Sequence, residues 1–327
     1  MKPEKGGEPA TPFARGSIAV GLHPIVGLDG REQAAALVEQ AQEAERVGFS
    51  GVTLSEHHGG FPGYMGLPAL ACNWILGATE RIWSGPAPYL VNLRNPVLAA
   101  EELAWSAARW PGRFGAALAP GYAQSDFELL GVPWEDKAAR FEAALAELLP
   151  TLRGEGKGAE DPAFRSWADS PAPLMRAAST RKGVERAAAL GMGVYFPSGS
   201  DRERMRGLID RYRELGGPGP VNKVRMLWLG DLPPGALEKR EQTYRGAAAK
   251  GSRQAQGFTE PFLHGDAEHI AEELVTDIEA LGLEGVNIRF HLEGGDREWV
   301  REQIGRFGAE VIPRLVEPLE MNSVQLN

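Results

Sequence analysis

The 327-residue chain has a single cysteine, six histidines and no excess of positive charge. One thiol, Cys72, excludes an internal disulfide and fits a reducing, cytoplasmic setting. Its apolar neighbours Leu70, Ala71, Trp74 and Ile75 make it a buried structural thiol rather than a nucleophile. The net charge of −9 argues against general nucleic-acid binding, which needs a basic surface to release phosphate counterions. No run approaches the roughly 18 apolar residues of a membrane span, so no membrane partner is expected. Residues 1–15 are rich in Pro, Gly and charge and lack the apolar region of a signal peptide. They read as a disordered leader, with one domain over residues 16–327.

What is present is an alternation. Short apolar runs at Ser17–Leu22, Gly51–Leu54, Ile82–Leu90, Arg113–Ala119, Pro173–Ala177, Gly193–Pro197, Val224–Leu229 and Gly285–Phe290 read as strands buried on both faces. Between them lie helical patterns, among them Arg31–Val47, Leu67–Ala78, Val97–Arg109, Ala138–Arg153, Lys182–Leu190 and Arg202–Leu215. Asp266 is placed to cap a helix that runs to Leu281, and the last helix covers Trp299–Leu315. Gly154–Ser170 has no periodicity and reads as a loop. Alternating strands and helices demand parallel strands with right-handed crossovers. Eight such units give an α/β protein, a single-domain (β/α)8 TIM barrel, with an insertion after strand 7 between Asp231 and His264. That insertion carries one helix around Leu237–Lys250. No glycine-rich phosphate fingerprint follows the first strand, as an open dinucleotide-binding sheet would require.

In such a barrel the chemistry sits just past the C-terminal ends of the strands. The polar residues there are His23; Glu56, His57 and His58; Asn92 and Arg94; Tyr122, Ser125 and Asp126; Arg176, Ser179, Thr180 and Arg181; Ser198 and Ser200; Asp231; and His291. Four of the six histidines converge on one mouth. Zinc would need His57, His58 and His291 together, but neighbours on an extended segment point to opposite sides, so no metal is expected. Ser179 and Thr180 at a helix start either cap that helix or, with Arg176, Arg181 and Lys182 beside them, hold a phosphate. Cations at a helix N-terminus oppose its dipole, which favours the phosphate. The aromatic side chains Phe61, Tyr64, Tyr122, Tyr195 and Phe196 either line an apolar pocket or pack the rim.

The block Asn92-Leu93-Arg94-Asn95-Pro96-Val97-Leu98-Ala99-Ala100-Glu101-Glu102-Leu103, followed by Gly112-Arg113-Phe114-Gly115 and Gly121-Tyr122, resembles the bacterial luciferase-like flavin monooxygenases. Glu56-His57-His58 matches the end of that family's second strand, and the resemblance runs from Gly16 to about Leu315. It implies reduced FMN bound at the barrel mouth and supplied by a separate reductase, commonly in a homodimer. O2 then adds at flavin C4a, and the peroxyflavin oxygenates a small organic substrate. An F420-dependent hydride-transferring enzyme is the alternative on the same barrel, and a non-catalytic flavin-binding relative a further one. The resemblance makes His57 the residue at the reaction centre, with Glu56 beside it. Pro86 and Ala87 fall where the family has a cis peptide under the flavin ring, and Ala87-Pro88 is the adjacent candidate. His23, His58, Tyr64, Phe196 and His291 are assigned to the substrate pocket, and Tyr122 to the flavin. Two departures stand out. Pro120 replaces an arginine that would meet the flavin phosphate, leaving Arg176 or Arg181 to compensate. Met192 lies between Gly191 and Gly193 where an acidic residue is common.

Overall fold

A computed structural model describes residues 10–156, 158–247, 260–292 and 297–321. Strands β1 (Ser17–Leu22), β2 (Gly51–Leu54), β3 (Trp83–Pro86), β4 (Ala116–Leu118), β5 (Leu174–Ala177), β6 (Gly193–Phe196) and β7 (Val221–Leu229) run parallel in chain order. A short strand, β8 (Leu263–Gly265), lengthens the sheet beside the end of β7. Strand β9 (Gly285–Arg289) pairs with both β7 and β1. Between β3 and β4 the described residues form only isolated bridges, Ser84 to Phe114 and Tyr89 to Leu118. The fold is the expected (β/α)8 barrel, closed along that thin seam.

The seam is tight as well as thin. A Cβ on Gly85 would lie 1.7 Å from the Gly115 carbonyl oxygen, so only glycine lets the two backbones approach.

Alternation along the strands sorts side chains into two cores. One side faces the helices, in a large cluster that includes Val20, Val52, Leu118, Val194 and Ile288. The other faces the barrel axis, where Phe13, Ala19, Trp83, Ala117, Met175, Tyr195 and Val224 pack together. Phe13 plugs this inner cluster, and its carbonyl accepts a 2.9 Å hydrogen bond from Asn222 Nδ2. Residues 1–9 of the expected leader lie outside the described residues. At residues 10–15 the expectation of disorder is corrected, because burying the Phe13 ring outweighs the entropy of ordering its neighbours.

The helices are α1 (Gly30–Arg46), α2 (Pro68–Ala78), α3 (Pro96–Arg109), α4 (Gln124–Leu129), α5 (Lys137–Leu152), α6 (Pro162–Asp169), α7 (Arg181–Ala189), α8 (Arg202–Glu214), α9 (Ala236–Ala247), α10 (Ala267–Leu281), α11 (Arg297–Glu310) and α12 (Ile312–Met321). Their starts follow local chemistry. Asp29 and Glu32 form a capping box on α1, Asn95 caps α3 with Pro96 in its first turn, and Asp266 caps α10 as expected. Helix α6 falls in the stretch read as a loop. Asp161 caps it and it buries Ala163, Phe164 and Trp167, but eight residues are too few to display a period. The expected last helix is two, divided at Val311. The expected insertion helix corresponds to α9, and residues 248–259 lie outside the described residues. Cys72 is buried, and burial pushes its thiol up to about 12.

Candidate active site

Residues beyond β2 keep the strand's alternation, and this separates the two adjacent histidines. Ser55 and His57 face a cavity at the barrel mouth, whereas His58 is not part of its wall. Glu56 lines the cavity too, yet its carboxylate turns toward His58, with Oε1 2.9 Å from His58 Nε2. The buried Glu56 carboxylate also accepts from the Arg94 guanidinium and, at 2.8 Å, from the Leu90 amide. Each oxygen is thus engaged, and Glu56 fastens the ends of β2 and β3 to each other.

His57 is held from two sides. Its Nδ1 donates to Asp126 Oδ2 at 2.7 Å, and Asp126 Oδ1 accepts from the His58 amide at 2.9 Å. With the proton on Nδ1 alone, Nε2 is an acceptor, and it lies 3.1 Å from the Tyr122 hydroxyl. Burial raises the Tyr122 pKa well above its ordinary value, so the phenol keeps its proton and donates. Phe61 stacks on the imidazole at 4.3 Å and Tyr64 meets it edge-on at 4.7 Å. Asp126 stood among the polar residues after the fourth strand, but nothing in its local sequence ties it to His57. This constellation can hold and pass a proton between Nε2 and whatever lies beside Tyr122.

The cavity measures about 440 Å³. Its inner part is formed by Ser55, His57, Tyr195, Val224, Met226 and Arg289, and Arg289 donates to the Ala87 carbonyl at 2.9 Å. Its walls include Pro88, Leu90, Ala119, Tyr122 and Tyr64. The cis bond is Ala87-Pro88. Pro88 lines the cavity, while Pro86 and Ala87, expected against the flavin, do not, because Ala87 turns into the inner core. Phe196 is likewise corrected. It faces the helices, and its neighbour Tyr195 faces the cavity.

At its outer end the cavity reaches the start of α7. Thr180 Oγ1 caps the Gly183 amide at 3.1 Å, and Ser179, Thr180 and Gly183 line the wall. Capping and phosphate readings are therefore compatible, since the Arg181 and Lys182 amides of the first turn have no intrahelical acceptor. Arg181, expected at a phosphate, points outward, 72% exposed, and pairs with Glu185. Arg176, Lys182 and Arg186 line the cavity instead. Glu142 of α5 bridges two of them, with Oε1 2.5 Å from both Arg176 Nη2 and Arg186 Nη1. Arg176 Nε is buried and meets no partner among the described residues.

His23 and His291, expected in the substrate pocket, lie outside this cavity. They line a separate void of about 30 Å³, room for one water. Their rings stack at 4.1 Å, Tyr64 meets His23 edge-on, and His23 Nδ1 lies 3.0 Å from the Gly63 carbonyl. Burial lowers both pKa values, that of His291 to about 3 and that of His23 well below the ordinary range, with His291 and Arg289 adding to the effect at His23. Both rings are neutral and brace the 59–66 loop. Of the five residues assigned to the substrate pocket, only Tyr64 lines the main cavity. Among the described residues no three His, Cys, Asp or Glu side chains could hold a metal ion together.

The family model for luciferase-like monooxygenases matches residues 15–218. A 106-residue stretch is 31% identical to the alkanal monooxygenase alpha chain of Photorhabdus luminescens, covering 32% of this chain and 29% of that protein. The match thus spans less than a third of that curated relative. A second stretch of 184 residues is 27% identical to the F420-dependent glucose-6-phosphate dehydrogenase of Intrasporangium calvum, covering 51% and 55% of the two chains. The fold superposes on monooxygenase RslO1 of Streptomyces bottropensis with a TM-score of 0.75 at 18% identity, covering 91% of this chain and 99% of that one. It also superposes on the oxygenating constituent of 3,6-diketocamphane monooxygenase from Pseudomonas putida, solved with FMN. There the TM-score is 0.71 at 16% identity, covering 91% and 98%. At such identities the structural likeness concerns the fold alone.

Proposed function

The chain belongs to the luciferase-like monooxygenase family, and on that premise we propose that it is a flavin-dependent monooxygenase. It uses reduced FMN and O2 to oxygenate a small, largely apolar organic molecule. The observation that carries this is the two-ended cavity. One end presents His57 between Asp126 and Tyr122; the other presents the start of α7 with Arg176, Lys182 and Arg186. A flavin ring with a phosphate-ended tail needs just such a polarity, an apolar inner slot and an outer anion site.

Reduced FMN, when bound, supplies the electrons that activate O2. The phosphate would be held by the free first-turn amides of α7, by Ser179 and Thr180, and by the three cations. The buried, unpartnered Arg176 Nε supports the fit. Pro88, Leu90, Ala119 and Tyr122 give the ring an apolar bed, with Tyr64 left to meet the substrate. His57 orients and moves a proton at Nε2, Asp126 fixing its tautomer.

Two partners belong to the same proposal. A separate reductase supplies reduced FMN, and a second copy of the chain covers the exposed face of Leu70 and Trp74 on α2 and Leu98 and Trp105 on α3. No helix among the described residues is long and apolar enough to cross a membrane.

The resemblance to an F420-dependent dehydrogenase favours a second reading, hydride transfer in the same cavity. Anaerobic titration with reduced FMN and reduced F420, then admission of air, separates the two. Binding of FMN followed by rapid oxygen uptake is expected. Hydride transfer with F420 and no oxygen uptake would establish the second reading, and binding of oxidised FMN with neither activity a non-catalytic relative.

A further inference from the structure

The anion end of the cavity already contains an anion. Glu142 Oε1 lies 2.5 Å from both Arg176 Nη2 and Arg186 Nη1, and its Oε2 is 3.5 Å from Arg176 Nη1. The carboxylate therefore takes the fork of one guanidinium and an arm of the other, the geometry an oxygen-rich anion would use. Phe141, the preceding residue, lies under Arg176 at 4.7 Å and holds its guanidinium in place. Glu142 and Arg176 are 34 residues apart, so this contact is made by the fold rather than by local helix pairing.

We propose that Glu142 is a built-in competitor for the cofactor phosphate, so that binding a phosphate monoester displaces its carboxylate from Arg176 and Arg186. The inference rests on the flavin reading above and concerns how that site selects its ligand. While the phosphate is absent, Glu142 keeps two buried or half-buried cations satisfied, a role that leaving them unpaired would make costly. With Lys182 included, three cations and one carboxylate leave two net positive charges. That is the complement of a terminal monoester, which carries about −2 near neutral pH, and exceeds the single charge of a phosphodiester. A carboxylate offers two oxygens in one plane and a phosphate offers three in a tetrahedron. The monoester can therefore reach both guanidiniums and the α7 amides at once, as Glu142 cannot. Selection then lies in the difference between the two anions rather than in raw positive charge.

Calorimetric titration of oxidised FMN and of riboflavin into wild type, Glu142→Gln and Glu142→Ala tests this without turnover. Both variants are expected to bind FMN about tenfold more tightly, the scale of a charge-assisted hydrogen bond no longer contested. Riboflavin, which lacks the phosphate, should bind wild type and variants alike. FMN affinity that is unchanged or lower in both variants would show Glu142 to be a scaffold and overturn the proposal. Arg186→Ala separates this failure from that of the underlying reading. If wild type prefers FMN to riboflavin and Arg186→Ala abolishes the preference, the phosphate site stands whatever Glu142 does. If wild type shows no preference, the phosphate assignment itself fails, and the proposal with it.

Discussion

His57 and Asp126, 69 residues apart in the chain, are joined by a 2.7 Å hydrogen bond between Nδ1 and Oδ2. Asp126 comes from α4, beyond the fourth strand, and does not line the cavity that His57 faces. It is a positioning residue. Asn at this place would offer its amide to Nδ1 and move the ring proton to Nε2, away from the acceptor role Tyr122 requires. Asp126→Asn should lower turnover by about 10²-fold, the scale of acid–base assistance, while the affinity for FMN stays near wild type. A purely structural role would instead lower FMN affinity and thermal stability together.

Glu56 lines the cavity and also ties the ends of β2 and β3 together, and the anchoring role has its own test. Arg94 and Glu56 form a buried pair, and the Arg94 guanidinium also sits over the Tyr89 ring at 4.2 Å. Removing one partner strands the other charge. Arg94→Met should destabilise the fold by about 3 kcal/mol, seen as a lower urea midpoint. A change below the error of the measurement would count against the anchoring role.

Stability should fall on the acid side because of the histidine pair. His23 and His291 have native pKa values below the ordinary 6.5, so the unfolded chain takes up protons that the native state excludes. Their neutral-form stabilisation is complete above about pH 6.5 and is lost as pH falls toward the value near 3 of His291. At pH 5 the loss from His291 alone is about 2 kcal/mol, and His23 acts in the same direction. Unfolding midpoints at pH 7.5 and pH 5 measure it. In His291→Phe the gap between the two should shrink, and an undiminished gap would sink this account.

The aromatic face across α2 and α3 predicts assembly. Trp105 is 52% exposed and Leu98 58% exposed, beside Trp74 and Leu70, and Asn73 bonds Ser106 to lock the two helices together. Trp105→Glu should turn a dimer into a monomer in sedimentation at micromolar concentration. A monomeric wild type would remove the proposal outright.

Much of this was readable before folding. The alternation of apolar runs and helices gave the barrel, because period and caps are local properties. The sides of His57 and His58 followed from strand parity alone. Parity also explains the error at Phe196, where an expectation off by one residue chose the helix-facing neighbour of Tyr195. At α7 the same kind of error arose from helical rotation, Arg181 turning outward and Arg186 inward. Asp126 and Glu142 were out of reach for a different reason. Each meets its partner across a separation that only the closed barrel brings together. The motif that carried the family resemblance proved largely structural. Asn92 ties the Pro120 and Lys137 carbonyls, Arg94 holds Glu56, and Asn95 caps α3.

The thin join between β3 and β4 has a consequence for motion. Its backbone links include Ser84 to the Arg113 carbonyl, Tyr89 to the Ala117 carbonyl and Ala119 to the Tyr89 carbonyl, while the other neighbouring strands are zipped by continuous registers. Leu90 and Ala119, on either side of it, are walls of the cavity. A cylinder with one weak suture should yield along that line first, so amides there are expected to exchange with solvent before those of β1, β7 and β9. Yielding there would part Leu90 from Ala119 and open the mouth on its β3–β4 side first.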